Sequence, residues 1–235
     1  MYRPSGDGPF PLIVYNHGSA QPGEEGVEWP APFIARTFVP AGYAVLVPER
    51  RGYGKSEGMP FSKDVGQERG ERFVRRQQDE AGDINAAVEH VLKEFRAAID
   101  TRRIVIMGWS FGGIVTTLAA SRSDRFAGVI VQAPGALNWD RSEQVRSALT
   151  EAAGRIRVPL SCSVAENDLT TGSARGICAA ANASGAKTVL KIYPAFSSGR
   201  ERPGNPPGHA LFGPFGVDLW RADVLAFLAE TTRTP

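Results

Sequence analysis

The chain has 235 residues, 42% of them hydrophobic and 22% charged, enough apolar material to bury a substantial core. Against 27 basic residues stand 25 acidic ones, and a net charge of +2 is too balanced for nucleic-acid or membrane-surface binding to be the default reading. No apolar run approaches the roughly 18 residues of a membrane helix, and the opening Met1–Gly6 has no signal-peptide apolar region.

The first strand-like run is 12–15, which ends at Asn16-His17-Gly18; a second is 43–47, which ends at Pro48. A helical pattern near 30–39 lies between them. The connection over 49–78 is rich in Arg, Glu and Gly and reads as a solvated loop with one exposed helix, with a flap over a site as the competing reading. Ile84, Ala87, Val88, Val91, Leu92 and Phe95 then recur at helical spacing and predict a helix over 79–98. Further strands are expected at 103–107, 127–131, 158–164 and 188–193, with helices near 111–121, 142–153, 171–184 and 218–229. The strand runs are almost continuously apolar rather than alternating, as strands covered on both faces are. Strand-helix alternation of this kind predicts an α/β fold with a mostly parallel sheet, in one domain over 1–235. Residues 194–217 break the alternation with a Pro/Gly-rich loop that contains His209. Loops of that length inside a compact domain are more often functional than idle.

Gly108-Trp109-Ser110-Phe111-Gly112 follows the strand at 103–107 and opens the helix at 111–121. Strand, sharp turn and helix are the context that a G-x-S-x-G nucleophile elbow requires, so Ser110 is the expected nucleophile. A serine hydroxyl needs a base to take its proton. In elbow-bearing hydrolases the order along the chain is Ser, acid, His. His17 and His90 precede Ser110, which leaves His209 as the base. The acid should follow the strand at 158–164, where Glu166-Asn167-Asp168 stands; Asp168 is preferred and Glu166 held in reserve. Asp140 lies one connection too early and Asp124 sits away from the strand ends. Two backbone N–H groups should face the tetrahedral oxygen, one from Phe111 and one from Ser19 in the loop after 12–15, with His17 bracing that loop.

Asn16-His17-Gly18-Ser19, Arg51-Gly52-Tyr53-Gly54-Lys55-Ser56, the elbow, Glu166-Asn167-Asp168 and Gly208-His209 together resemble the α/β-hydrolases of the dienelactone-hydrolase-like group, related to small serine carboxylesterases and to prolyl-oligopeptidase-type domains. The resemblance covers nearly the whole chain and implies an α/β-hydrolase fold and ester hydrolysis. Dienelactone hydrolases use a cysteine nucleophile, and neither Cys162 nor Cys178 is placed to replace Ser110. Such folds also begin with two strands more than residues 1–10 supply, so the sheet is expected to be shortened or the reading frame to be longer. The interval 134–156 is too short for a full cap domain. An open pocket walled by Trp109, Phe111, Trp139, Leu211 and Phe212 is expected, with Trp109 and Trp139 as substrate-binding residues. It should suit small or medium acyl esters.

A prolyl-oligopeptidase-type peptidase is the second reading, and a non-catalytic binding member of the fold a distant third. An aspartate-nucleophile mechanism is excluded by Ser110. Three histidines and two cysteines without ligand spacing suggest no metal, and no phosphate-cradling loop follows a strand, so no cofactor is expected. The expected partner is a small-molecule ester, with neither nucleic acid nor membrane; self-association is left open, and the expected location is cytoplasmic.

Overall fold

A computed structural model describes residues 1–19 and 31–233. Six strands form one sheet: β1 (Phe10–Asn16), β2 (Ala44–Leu46), β3 (Ile99–Trp109), β4 (Gly128–Gln132), β5 (Leu160–Ala165) and β6 (Thr188–Tyr193). Their order is β2-β1-β3-β4-β5-β6, and every pairing is parallel. Leu12, Ile13, Val14, Ile104–Met107 and Val129–Val131 are fully buried, as their continuous apolar runs predict for strands covered on both faces. An antiparallel bridge between Tyr2 and Val45 adds a short pairing at the β2 edge.

Helices lie on both faces, and the strand pleat shows it. Gly128 has no side chain, and a Cβ there would meet Phe227 and Thr231 at 3.2–3.3 Å. These belong to α7 (Val217–Thr231). Three positions on, Val131 faces the opposite way and pairs with Cys162, whose thiol contacts Cys178. Cys178 belongs to α6 (Gly172–Ala183), so α6 and α7 cover opposite faces. The remaining helices are α1 (Pro32–Phe38), α2 (Phe61–Asp64), α3 (Glu71–Glu94), α4 (Phe111–Ala120) and α5 (Glu143–Ala153). Phe38 of α1 lies against Trp220 of α7, with ring centroids 6.3 Å apart. Among the described residues no helix is long and apolar enough to cross a membrane.

Two boundaries differ from the sequence expectation. The helix expected over 79–98 begins eight residues earlier, at Glu71, and ends at Glu94 before a 3-10 turn over Arg96–Ala98. Its extra N-terminal turns bury Arg76, Gln77 and Glu80 beside Phe73, so the inward face carries charge and escapes an apolar periodicity. Glu68 closes the helix start by accepting from the Phe73 N–H at 2.8 Å. β3 in turn starts at Ile99 because that residue pairs with Phe10, ahead of an irregularity in β1.

The strand order also locates the site. From β1 the chain runs outward to β2, then crosses back past β1 to β3 and continues the other way. The loops leaving β1 and β3 therefore diverge at their C-terminal ends, at a topological switch point where open α/β sheets hold ligands. Asn16 pairs with Gly108 there, which sets the loop after β1 beside the turn that carries Ser110.

Candidate active site

Ser110 caps the N-terminus of α4 with φ 58° and ψ −118°, a left-handed backbone that costs a non-glycine residue of order 1–3 kcal/mol. It is over-determined by its neighbours. Its N–H donates to Gln132 O at 2.9 Å, and its carbonyl accepts from Gly113 at 3.0 Å and Gly135 at 3.1 Å. The flanking glycines answer a steric need: a Cβ on Gly108 would lie 2.3 Å from Gly112 O, and one on Gly112 would lie 2.0 Å from Asn16 O. Only glycine lets helix, strand and neighbouring loop approach this closely.

His209 Nε2 lies 2.7 Å from Ser110 Oγ, and its Nδ1 lies 2.9 and 3.1 Å from the two Asp168 oxygens. An ionised carboxylate only accepts, so the Nδ1 contact puts a proton on Nδ1 and leaves Nε2 to accept from the serine hydroxyl. All three residues are at most 8% exposed. Asp168 follows β5, and His209 sits in a 3-10 turn over Pro207–Phe212 within the Pro/Gly-rich loop. Gly208 permits that turn to lie on the loop that carries Asp168, since a Cβ there would fall 2.7 Å from Asp168 N. Asn167 ties the segment after β6 down by bonding Phe196 N and O at 3.0 and 2.9 Å. Glu166 turns away and accepts from Ala195 N at 3.0 Å. Of the two carboxylates weighed from sequence, Asp168 is the one against the imidazole.

Phe111 N–H is the first of α4 and has no partner within the helix. Gly18 brings the loop after β1 against Ser110, because a Cβ there would meet Ser110 Cβ at 3.7 Å. Ser19 lies on the wall of the same cavity as Ser110 and Phe111, and its carbonyl accepts from Arg202 at 3.0 Å. His17 is buried, with Nδ1 2.7 Å from Gly18 O. Burial, and then the Arg50 guanidinium, hold its pKa well below the ordinary histidine value, so it is neutral and braces the loop.

Behind this loop lies a charged cluster that sequence reading places in solvent. Arg50 and Glu80 are fully buried, with Arg50 Nε 2.7 Å from Glu80 Oε2. Glu80 Oε1 accepts from Arg76 Nε at 2.9 Å, and Arg76 also reaches Asp64 at 2.8 Å and Arg51 O at 2.8 Å. Arg50 Nη1 donates to His17 O at 3.1 Å, and its guanidinium lies over the Tyr53 and Phe111 rings at 5.0 and 5.4 Å. The 49–78 segment is thus solvated on its outer side only, with Arg50, Tyr53, Phe73 and Arg76 buried on its inner side. It is folded down by buried ion pairs and walls the site.

A cavity of about 310 Å³ opens beside Ser110. Phe61, Phe73 and Phe111 form one wall as an edge-to-face trio, with centroids 5.1–6.2 Å apart, and Tyr53 joins them. Of the five residues expected from sequence to wall the pocket, Phe111 does so. Trp139 is instead packed under α6, where a Cβ on Gly176 would come within 2.5 Å of its ring. Leu211 and Phe212 are fully buried. Trp109 is half-buried and donates from Nε1 to His209 O at 3.1 Å, so it clamps the histidine turn. The sequence reading missed Tyr53, Phe61 and Phe73; two phenylalanines within an Arg/Glu-rich stretch were the available signal.

The profile of the prolyl oligopeptidase family matches residues 31–157. The chain is similar to quorum-quenching protein AidA of Acinetobacter baumannii (strain MDR-ZJ06), 34% identical over 134 residues, which cover 57% of this chain and 38% of that protein. Among solved structures it is similar to the acylaminoacyl peptidase of Pyrococcus horikoshii (TM-score 0.69, 19% identity), over 99% of this chain and 39% of that one. It is also similar to an esterase of Pyrococcus furiosus (TM-score 0.69, 16% identity), over 96% of this chain and 84% of that one. The chain therefore spans well under half the length of the AidA protein and of the peptidase. The two structural likenesses establish the α/β-hydrolase fold.

Proposed function

Since the chain belongs to the prolyl oligopeptidase family, we propose that its residues 1–235 act as a serine hydrolase domain, a carboxylesterase for small or medium acyl esters. The observation that carries this reading is the unbroken hydrogen-bond line from Ser110 Oγ through the His209 imidazole to Asp168, at 2.7 and 2.9 Å.

In this mechanism His209 Nε2 takes the Ser110 proton as Oγ attacks the ester carbonyl. The Phe111 and Ser19 N–H groups receive the negative charge that develops on the carbonyl oxygen. Imidazolium His209, stabilised by Asp168, then protonates the leaving alkoxide. Water, deprotonated by the same nitrogen, attacks the acyl-serine and releases the acid. The imidazole must be neutral at the start, because only an unprotonated Nε2 can take the Ser110 proton. A cavity of about 310 Å³ is at the small end for ligand sites and matches a short acyl group better than a long lipid chain.

A peptidase is the second reading, favoured by the family match and by the likeness to an acylaminoacyl peptidase over nearly the whole chain. The two are separated by turnover of p-nitrophenyl esters from C2 to C12 beside aminoacyl p-nitroanilides. The esterase reading expects short esters to lead and Ser110→Ala to lose about 10³-fold or more in kcat. Near-normal turnover by Ser110→Ala, or failure of a fluorophosphonate to label Ser110, would end it; anilide turnover above ester turnover would favour the peptidase.

A further inference from the structure

The cavity beside Ser110 is unbalanced in charge. Among the described residues that bound it are Arg69 and Arg141, and no Asp or Glu. Neither arginine has a carboxylate partner among the described residues. Arg69 donates from Nη1 to Gly66 O and Glu68 O at 3.0 and 2.7 Å and lies 5.2 Å from the Phe73 ring centroid, contacts that fix its position without a carboxylate. The nearest acid in sequence, Glu68, is committed to the start of α3 through Phe73 N. Arg141 is exposed, and its side chain has neither hydrogen bond nor ion pair among the described residues. The two come from abutting segments, since Ser142 Oγ donates to Arg69 O. Guanidinium groups so presented match a carboxylate's geometry.

The geometry also says which half of a substrate meets them. A leaving oxygen must lie beside His209 Nε2 to be protonated. His209 is absent from the cavity wall, whereas Ser110, Ser19 and Phe111 are on it. The cavity therefore takes the acyl side of the scissile bond. We infer that the enzyme prefers esters whose acyl part ends in a second carboxylate, held by Arg69 and Arg141; this rests on the hydrolase reading above.

The test compares monophenyl adipate with phenyl hexanoate, and monophenyl suberate with phenyl octanoate, pairs equal in acyl carbon count and differing in the terminal carboxylate. At low ionic strength kcat/KM for the anionic member should exceed that of the neutral one by at least about tenfold at one of the two lengths, some 1.4 kcal/mol. The ratio should shrink in 0.5 M salt (about 4 Å of screening length) because the arginines are partly exposed. Arg141→Met should lower the ratio at least about threefold. Arg69 also packs on Phe73, so Arg141, whose side chain has no hydrogen bond or ion pair among the described residues, is the more telling site. Equilibrium binding of the same esters to Ser110→Ala reads the preference without turnover. If neither ester is hydrolysed and Ser110 resists labelling, the hydrolase reading fails while binding still judges the arginine pair. A ratio at or below one at both lengths, in turnover or in Ser110→Ala binding, overturns the inference. So does a ratio that Arg141→Met leaves unchanged.

Discussion

Replacing Glu80 by glutamine changes one oxygen to an NH2 group and removes one charge from the middle of the Arg50–Glu80–Arg76 cluster. Glu80 Oε2 and Oε1 accept from two different arginines at 2.7 and 2.9 Å, and neither Glu80 nor Arg50 has exposed side-chain surface. Glutamine can satisfy one of them and must turn a donor toward the other. Arg76 keeps Asp64 at 2.8 Å, but Arg50 would keep no carboxylate among the described residues, only carbonyl contacts such as His17 O at 3.1 Å and the Tyr53 and Phe111 ring faces. Loss of a charge-assisted bond costs about 1.5–3 kcal/mol and an uncompensated buried charge about 3–5 kcal/mol. The upper range applies to Arg50, so Glu80→Gln should cost about 3–5 kcal/mol of a total of roughly 5–15. For a chain of this size that lowers Tm by roughly 6–20 °C. Urea and thermal melts followed by circular dichroism measure both. Asp79→Asn is the control, because its pair with Arg51 is long, 3.7 Å, and half exposed; it should change stability by less than about 0.5 kcal/mol. A loss below about 1 kcal/mol for Glu80→Gln, or one equal to the control, would refute the assignment of this cluster as the brace of the site.

Asp168→Asn should reduce kcat on the order of 10³–10⁴-fold by presenting the wrong imidazole tautomer, while Glu166→Gln changes it modestly; ester hydrolysis by the two variants decides, and the reverse ranking reassigns the acid. His17 predicts a pH dependence of folding. Its folded pKa is depressed, so below about 6.5 the unfolded chain binds a proton that the folded one refuses, and stability falls as pH falls. Between about pH 6.5 and 5, His17→Asn should flatten the slope of unfolding free energy by up to about 1.4 kcal/mol per pH unit, and identical slopes would contradict this. Gly176→Ala should cost about 1–3 kcal/mol in a denaturant melt, because its methyl would enter the Trp139 ring position; a neutral result would mean that α6 shifts freely.

What the sequence revealed and what it concealed follow from the kind of signal each residue leaves. Ser110, His209 and Asp168 were legible because chemistry and chain order leave few candidates, and because glycines must stand where backbones nearly touch. The strands were legible as continuous apolar runs. Arg50, Arg76 and Glu80 were not, since a buried ion pair and a solvated one are spelled with the same residues. Burial is decided by which charges meet across the fold, here Arg50 and Glu80, 30 positions apart. Trp139 was placed at the pocket because it lies in the 134–156 interval, where a cap would stand, and that position says nothing of the side the ring faces. The paired Gly172 and Gly176, one helical turn apart on α6, were the trace of a large ring docking there.

On the hydrolase reading, the left-handed backbone at Ser110 sets durability and reactivity against each other at one residue. Glycine would adopt φ 58° without the strain that a Cβ brings, and every hydrogen bond that holds the turn there uses main-chain atoms and would survive the exchange. A population of variants screened for heat resistance alone would therefore be drawn toward glycine at this position and would lose the hydroxyl. Keeping serine there requires a selection that counts turnovers.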